Sequence, residues 1–253
     1  MCPAESPWTE KKSLMTIGDL RANHEAYFAA GSKKADASKF KNVVNKPLII
    51  GPDDSLVINS VGVPELHCMT GLSGKLMNHA ETIIDDAGQD GAKFVNHFLK
   101  NENIKKSEQR GGCYEGNQAK KLLDKCENLI TYVGVQDEEV LEKIYNLVDV
   151  MKKFALVRDS CFGIKLNPAY QYRIEEFCSK YRQLPGITFP IKFHLVEQHI
   201  KEFLELHGDG TQGLGCWSEQ SMETCHSDFK KFWSQVGYEQ LLYFITSDWS
   251  VVI

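Results

Sequence analysis

The chain has 253 residues, of which 42% are hydrophobic and 25% charged, and this composition is typical of a soluble globular protein with a sizeable core. It contains no run of about 18 apolar residues, so we expect no membrane span. The formal net charge of −5 argues against a general polyanion binder, although a local basic patch is compatible with it. The eight cysteines include no C-x-x-C pair, which predicts reduced thiols and a nuclear or cytoplasmic protein.

The N-terminal segment combines a helical pattern with the most basic stretch of the chain. Residues 1–15 contain charges and two prolines and are expected to be loose. Residues 16–30 have apolar side chains at helical spacing, and Gly31 is expected to end that helix. The polar stretch that follows carries Lys33, Lys34, Lys39 and Lys41. It is typical of a solvated linker, and the alternative is a segment that binds nucleic acid.

The middle of the chain is predicted to be helical. The one short strand is predicted at Ser55–Val61, where β-branched residues dominate. Helical periodicity then begins at Pro64 and continues through segments near 92–100, 118–133, 137–157 and 169–184. The pattern therefore predicts a mainly α protein with little sheet, arranged as a single helical domain over residues 16–253.

Residues 192–233 concentrate more reactive side chains than any other stretch. The second half of this stretch is predicted to be a helix that begins near Ser218. On that helix Glu219, Glu223 and His226 are spaced i, i+4 and i+7, which places them along one face. Such a face is suited to acid–base or metal chemistry, and it is equally typical of an exposed polar surface.

The histidines of the first half of this stretch allow two interpretations. His194 and His199 are favoured as structural residues, buried against neighbouring helices with one hydrogen-bonded ring nitrogen. The alternative is a zinc site that would combine them with His226 and either Cys216 or Cys225, at spacings that match no zinc pattern.

Three segments together resemble a group of transposon-encoded proteins of animal genomes. They are PELHCMTG at 64–71, RGGCYEGNQAKKLL at 110–123, and KFHLVEQHIKEFL followed by SEQSMETCHSDF between 192 and 229. The resemblance covers residues 14–235, and those proteins resemble the C-terminal part of cut-and-paste transposases with an RNase H-like core. It implies that residues 80–190 are a helical insertion and that residues 191–236 are the closing helices.

The resemblance also implies a set of site residues. Glu65 with His67 would match an acid–His signature, and Glu223, or in its place Glu219, would match the closing glutamate with His226 beside it. In such enzymes carboxylates hold two divalent ions about 3.5–4 Å apart, and Mg²⁺ or Mn²⁺ prefers these oxygen ligands. The alternative for Glu65 is a residue that only stabilises a helix N-terminus.

These observations lead to two hypotheses about function. The residues before Glu65 are predicted to be mainly helix and loop, whereas an RNase H-like core needs a first aspartate on a leading strand. We therefore expect a transposase-derived helical module that is catalytically incompetent alone and binds DNA, a protein partner or a second copy of itself. The alternative is a fragment of a metal-dependent DNA transposase or nuclease that retains part of the carboxylate site.

Overall fold

The computed structural model describes residues 15–48, 51–60, 62–107, 114–133 and 138–218. The chain divides into two compact units, Met1–Cys216 and Trp217–Ile253, and the α-helices named below belong to the first. Within the described residues the chain is mainly helical and has no β-strand, which confirms the mainly α prediction.

The described residues form α-helices, π turns and short 3₁₀ helices. The α-helices are α1 (Ile17–Ala29), α2 (Glu65–Asp86), α3 (Gly91–Asn101), α4 (Gly116–Asp124), α5 (Glu138–Val157), α6 (Tyr170–Arg182), α7 (Ile191–His194) and α8 (Ile200–His207). π turns follow α5 at Arg158–Phe162 and join α7 to α8 at Leu195–His199. Short 3₁₀ helices occupy Lys34–Phe40, Val57–Ser60, Cys126–Tyr132 and Leu214–Trp217.

Helix α1 begins and ends where the sequence predicts. Thr16 Oγ1 accepts a hydrogen bond from the Asp19 backbone N–H at 3.1 Å, and Asp19 Oδ2 accepts one from the Thr16 N–H at 2.9 Å. This reciprocal capping satisfies two N–H groups that a helix start would otherwise leave unpaired. Gly31 follows the helix with a φ of +86°, a left-handed conformation that favours glycine.

The strand predicted at Ser55–Val61 is wrong, because Val57–Ser60 forms a 3₁₀ helix. The segment makes one isolated antiparallel bridge, between Leu56 and Thr16. A β-branched run becomes a strand only when a neighbouring strand completes its hydrogen bonds. Here the neighbouring backbone enters helix α1 at Ile17, directly after that bridge.

Helix α2 is the centre of the first unit, because it packs against α3, α4, α5 and α7. Its apolar side chains recur at helical spacing and are removed from solvent, as predicted. Those at most 1% exposed are Cys68, Leu72, Leu76, Met77, Ala80 and Ile84. Burying a leucine, isoleucine or methionine side chain contributes about 1.5–3 kcal/mol, so this one helix supplies a large part of the core energy.

An aromatic cluster joins α5, α6 and α7. Phe177 of α6 stacks on Phe154 of α5 with ring centroids 4.9 Å apart, and Tyr181 stacks on Phe193 of α7 at 4.5 Å. Phe177, Phe193 and Tyr181 are at most 1% exposed. The cluster therefore fixes the position of α7 and of the π turn that follows it.

The helix after the glycine-rich segment begins earlier than predicted. The sequence predicts a helix over residues 118–133, but α4 begins at Gly116. Gly116 lets the start of α4 lie close to α2, because a Cβ at position 116 would lie 2.5 Å from Leu66 Cδ1. Past Asp124 the predicted helix continues only as the 3₁₀ helix Cys126–Tyr132.

Candidate functional site

Glu65, the first residue of α2, is buried. Its side chain is 4% exposed, and Oε1 has no hydrogen-bond partner among the described residues. His67, two residues later, is exposed. The two residues that the resemblance pairs as an acid–His signature therefore have different surroundings, one inside the helical core and one at its surface.

Two further groups lie close to Glu65. The Cys68 thiol is fully buried, and burial raises its pKa to about 12, while the positive charge of Lys192 acts in the opposite direction and Glu65 adds to the rise. Lys192 belongs to α7, and its side chain covers Gly71 so closely that a Cβ on Gly71 would overlap it. The charges of Glu65 and Lys192 thus both act on the Cys68 thiol of α2.

The second part of the predicted metal site cannot be compared with Glu65. Glu219, Glu223 and His226 lie outside the described residues. Among the residues that are described, no group of three or more His, Cys, Asp or Glu side chains is arranged to hold a metal ion. The convergence of Glu65 and Glu223 on Mg²⁺ or Mn²⁺ therefore stays a prediction.

The four lysines of the predicted basic segment are all exposed. Lys33, Lys34, Lys39 and Lys41 lie in or beside the 3₁₀ helix Lys34–Phe40. Lys39 Nζ lies 2.7 Å from Asp36 Oδ1, whereas the other three form no ion pair within the described part of the chain. Three of the four ammonium groups are therefore exposed and outside any ion pair of the described residues.

Exposed apolar side chains flank this basic segment. Phe28 at the end of α1 is 72% exposed, and Leu48 is 92% exposed. Lys46 lies between the segment and Leu48, and it is also exposed. The N-terminal part of the described chain thus presents positive charge and apolar side chains to solvent together.

The rings of His194 and His199 are in contact, although a regular helix would place them on different faces. Their Nε2 atoms lie 3.2 Å apart and their rings are perpendicular, with centroids 4.8 Å apart. His199 Nδ1 lies 3.0 Å from Glu202 Oε2. Burial lowers the pKa of His194, and the nearby His199 lowers it further. A spacing of five residues predicts contact between two histidines only where the helix contains a π turn.

A small cavity lies between α2, α5 and the end of α6. It has a volume of about 200 Å³, and its lining includes His79, Glu142, Asn146 and Leu184. His79 is 8% exposed, and its Nε2 has no hydrogen-bond partner among the described residues. Burial lowers the pKa of His79, and the positive charge of Lys75 adds to this effect. The ring is therefore held in its neutral form near neutral pH.

No protein family model and no curated protein sequence matches the chain. In the described part of the chain, no helix combines the length and the apolar character needed to cross a membrane.

Proposed function

We propose that the chain is a transposase-derived helical module that binds a macromolecular partner and has no chemistry of its own. The burial of Glu65 supports the proposal that the chain has no chemistry of its own, because the substrate phosphate must reach any carboxylate that holds a catalytic metal. The three sequence segments that resemble transposon-encoded proteins support its origin.

Of the two kinds of partner, the proposal favours nucleic acid. The single observation that carries this choice is the exposed basic segment: residues 32–48 contain five lysines and one acidic residue, Asp36. Lysine side chains bind phosphates mainly through charge, and each contact releases counterions from the nucleic acid. A chain with an overall charge of −5 can bind DNA in this way only through a local surface of this kind.

The test is fluorescence anisotropy of labelled duplex and single-stranded DNA at several salt concentrations. Lys33, Lys34 and Lys41 are replaced together by glutamine. The matched control removes the same charge elsewhere by replacing the exposed Lys93, Lys100 and Lys120 with glutamine.

We expect the first variant to bind DNA more weakly and to lower the slope of log K against log salt by about 2 to 3, since each phosphate contact contributes about 0.9. The control variant should keep the slope of the original protein. Equal weakening by both variants would reject the basic segment as the binding surface. No binding by the unaltered chain would reject nucleic acid and leave a protein partner or a second copy.

The alternative function is a fragment of a metal-dependent transposase or nuclease. One observation favours it: Glu65 Oε1 has no hydrogen-bond partner among the described residues, and a buried carboxylate oxygen of this kind can be satisfied by a cation. Calorimetric titration with Mn²⁺ tests this function. Stoichiometric binding that both Glu65→Gln and Glu223→Gln abolish would support it, and binding that neither variant changes would exclude it.

A further inference from the structure

The π turn Leu195–His199 brings together two histidines that a regular helix would separate. Each residue of an α-helix rotates the chain by about 100°, so residues five apart would differ by about 140° around the axis. The wider π turn brings the His194 and His199 rings together, with 3.2 Å between their Nε2 atoms. Such π turns are rare in proteins, and they occur frequently at functional sites.

Glu202 determines which nitrogen of His199 is available. Its Oε2 lies 3.0 Å from His199 Nδ1, so this carboxylate accepts a hydrogen bond from the Nδ1–H group. The lone pair of the neutral ring is then on Nε2, the nitrogen that faces His194. A carboxylate behind an imidazole is the usual arrangement around histidines that bind metals, because it fixes both the tautomer and the ring orientation.

We propose that the Nε2 atoms of His194 and His199 bind one divalent transition-metal ion, with Glu202 as the positioning residue. Two imidazole nitrogens that each lie about 2.0–2.1 Å from a tetrahedral ion are about 3.3 Å apart. The observed separation of 3.2 Å is close to this value, so the two rings need only turn their Nε2 lone pairs toward a common ion. Imidazole ligands select Zn²⁺, Cu²⁺ or Ni²⁺ over Mg²⁺, so the site is distinct in kind from the carboxylate site of the alternative function.

The site is open to solvent on one side. The His199 side chain is 17% exposed and that of Glu202 is 60% exposed. Glu197, the acidic residue of the π turn, forms an ion pair with Arg182 at 2.7 Å, so its carboxylate is engaged by that arginine. Within the described residues no third ligating side chain joins the pair. A structural zinc site is closed by four protein ligands, whereas a site with fewer protein ligands keeps positions for water or an external ligand.

Metal binding replaces the contact between the two rings. In the protein without metal, one ring donates a hydrogen bond to the other across the 3.2 Å separation. When the ion binds, the proton of the donor ring moves from Nε2 to Nδ1, and both Nε2 lone pairs then hold the ion. The ion thereby links α7 to the start of α8, which should stabilise this part of the chain by mass action.

The test is calorimetric titration of the full chain with Zn²⁺ under reducing conditions. We expect one site whose affinity falls at least tenfold in His194→Ala and in His199→Ala. Loss of an outer-shell carboxylate typically weakens metal binding 10- to 100-fold, so Glu202→Gln should fall within that range. The matched control is His24→Ala, which removes a histidine of α1 and should leave the affinity unchanged.

A second measurement uses the unaltered chain in case an alanine variant fails to fold. Substoichiometric Cu²⁺ is added to protein with ¹⁵N-labelled histidines, and its paramagnetism broadens the ring signals of its ligands. Selective broadening of His194 and His199 would support the site. Zn²⁺ binding that survives both alanine variants, or Cu²⁺ broadening that leaves these two rings unaffected, would overturn it.

Discussion

Replacing Glu65 with methionine should raise the free energy of unfolding by about 1–2 kcal/mol. A buried polar atom without a hydrogen-bond partner costs about 1–3 kcal/mol, and Glu65 Oε1 is such an atom within the described residues. Its carboxylate gains at most about 1 kcal/mol from the N-terminus of α2. Lys192, whose charge lies near the same site, is only half-buried and can turn toward solvent once Glu65 is removed. The cost of burial therefore exceeds the electrostatic gain.

Urea unfolding followed by circular dichroism measures the change in the free energy of unfolding. In thermal unfolding, the melting temperature should rise by about 2–8 °C for a protein of this size. Glu65→Gln removes the charge but keeps a polar group, so its stability should lie between those of the original protein and Glu65→Met. The exposed His67→Met is the control, with an expected change within about 0.5 kcal/mol. If Glu65→Met lowered stability by 1 kcal/mol or more, Glu65 would hold the fold together, and the reasoning from its unpartnered oxygen would be refuted.

Three further predictions concern the core. Because burial lowers the pKa of His79 in the folded protein, the unfolded chain binds more protons than the folded chain below about pH 6.5. The free energy of unfolding should therefore fall from pH 7 to pH 5, and His79→Gln should make this fall smaller. Iodoacetamide should label the exposed Cys216 of the native protein while sparing Cys68 and Cys161, because burial raises the pKa of both buried thiols to about 12. Phe177→Ala should lower the free energy of unfolding by about 3–5 kcal/mol, since this fully buried ring stacks within the aromatic cluster.

Each of these predictions has a control that separates the stated cause from a general effect. His24→Gln should leave the pH dependence of stability unchanged, and an equal loss of slope there would contradict the role of His79. Peptide mapping after labelling identifies the modified cysteines, and early modification of Cys68 would mean that α2 opens readily. Tyr172→Ala changes an exposed aromatic residue of the same helix as Phe177. It should cost less than about 1 kcal/mol.

The helices were predictable wherever one apolar face repeats at helical spacing. Glu138–Val157 buries Ile144, Leu147 and Phe154 as the pattern predicts, because these residues can leave water only on one side of a helix. The predicted strand near Leu56 failed because strand formation depends on a partner elsewhere in the chain, which local spacing does not reveal.

The candidate sites were harder to predict, for two physical reasons. Glu65 has the sequence signature of a favourable first-turn carboxylate, and its burial follows from the packing of other helices around α2, which local spacing does not reveal. The contact between His194 and His199 requires a π turn, and a period of 3.6 residues places these residues on different faces. The identity of the reactive residues was therefore visible in the sequence, whereas their burial and pairing depended on tertiary structure.

Phe193 connects the two candidate features of α7. Consecutive residues of a helix point about 100° apart, so the ring of Phe193, stacked on Tyr181, fixes the directions of Lys192 before it and of His194 after it. Lys192 consequently covers α2 at Gly71, while His194 meets His199 on another side of the same helix. The position of Lys192 on α2 and the geometry of the histidine pair thus depend on one buried ring. The variants proposed for Glu65 and for the histidine pair leave that ring in place, so their effects can be interpreted independently.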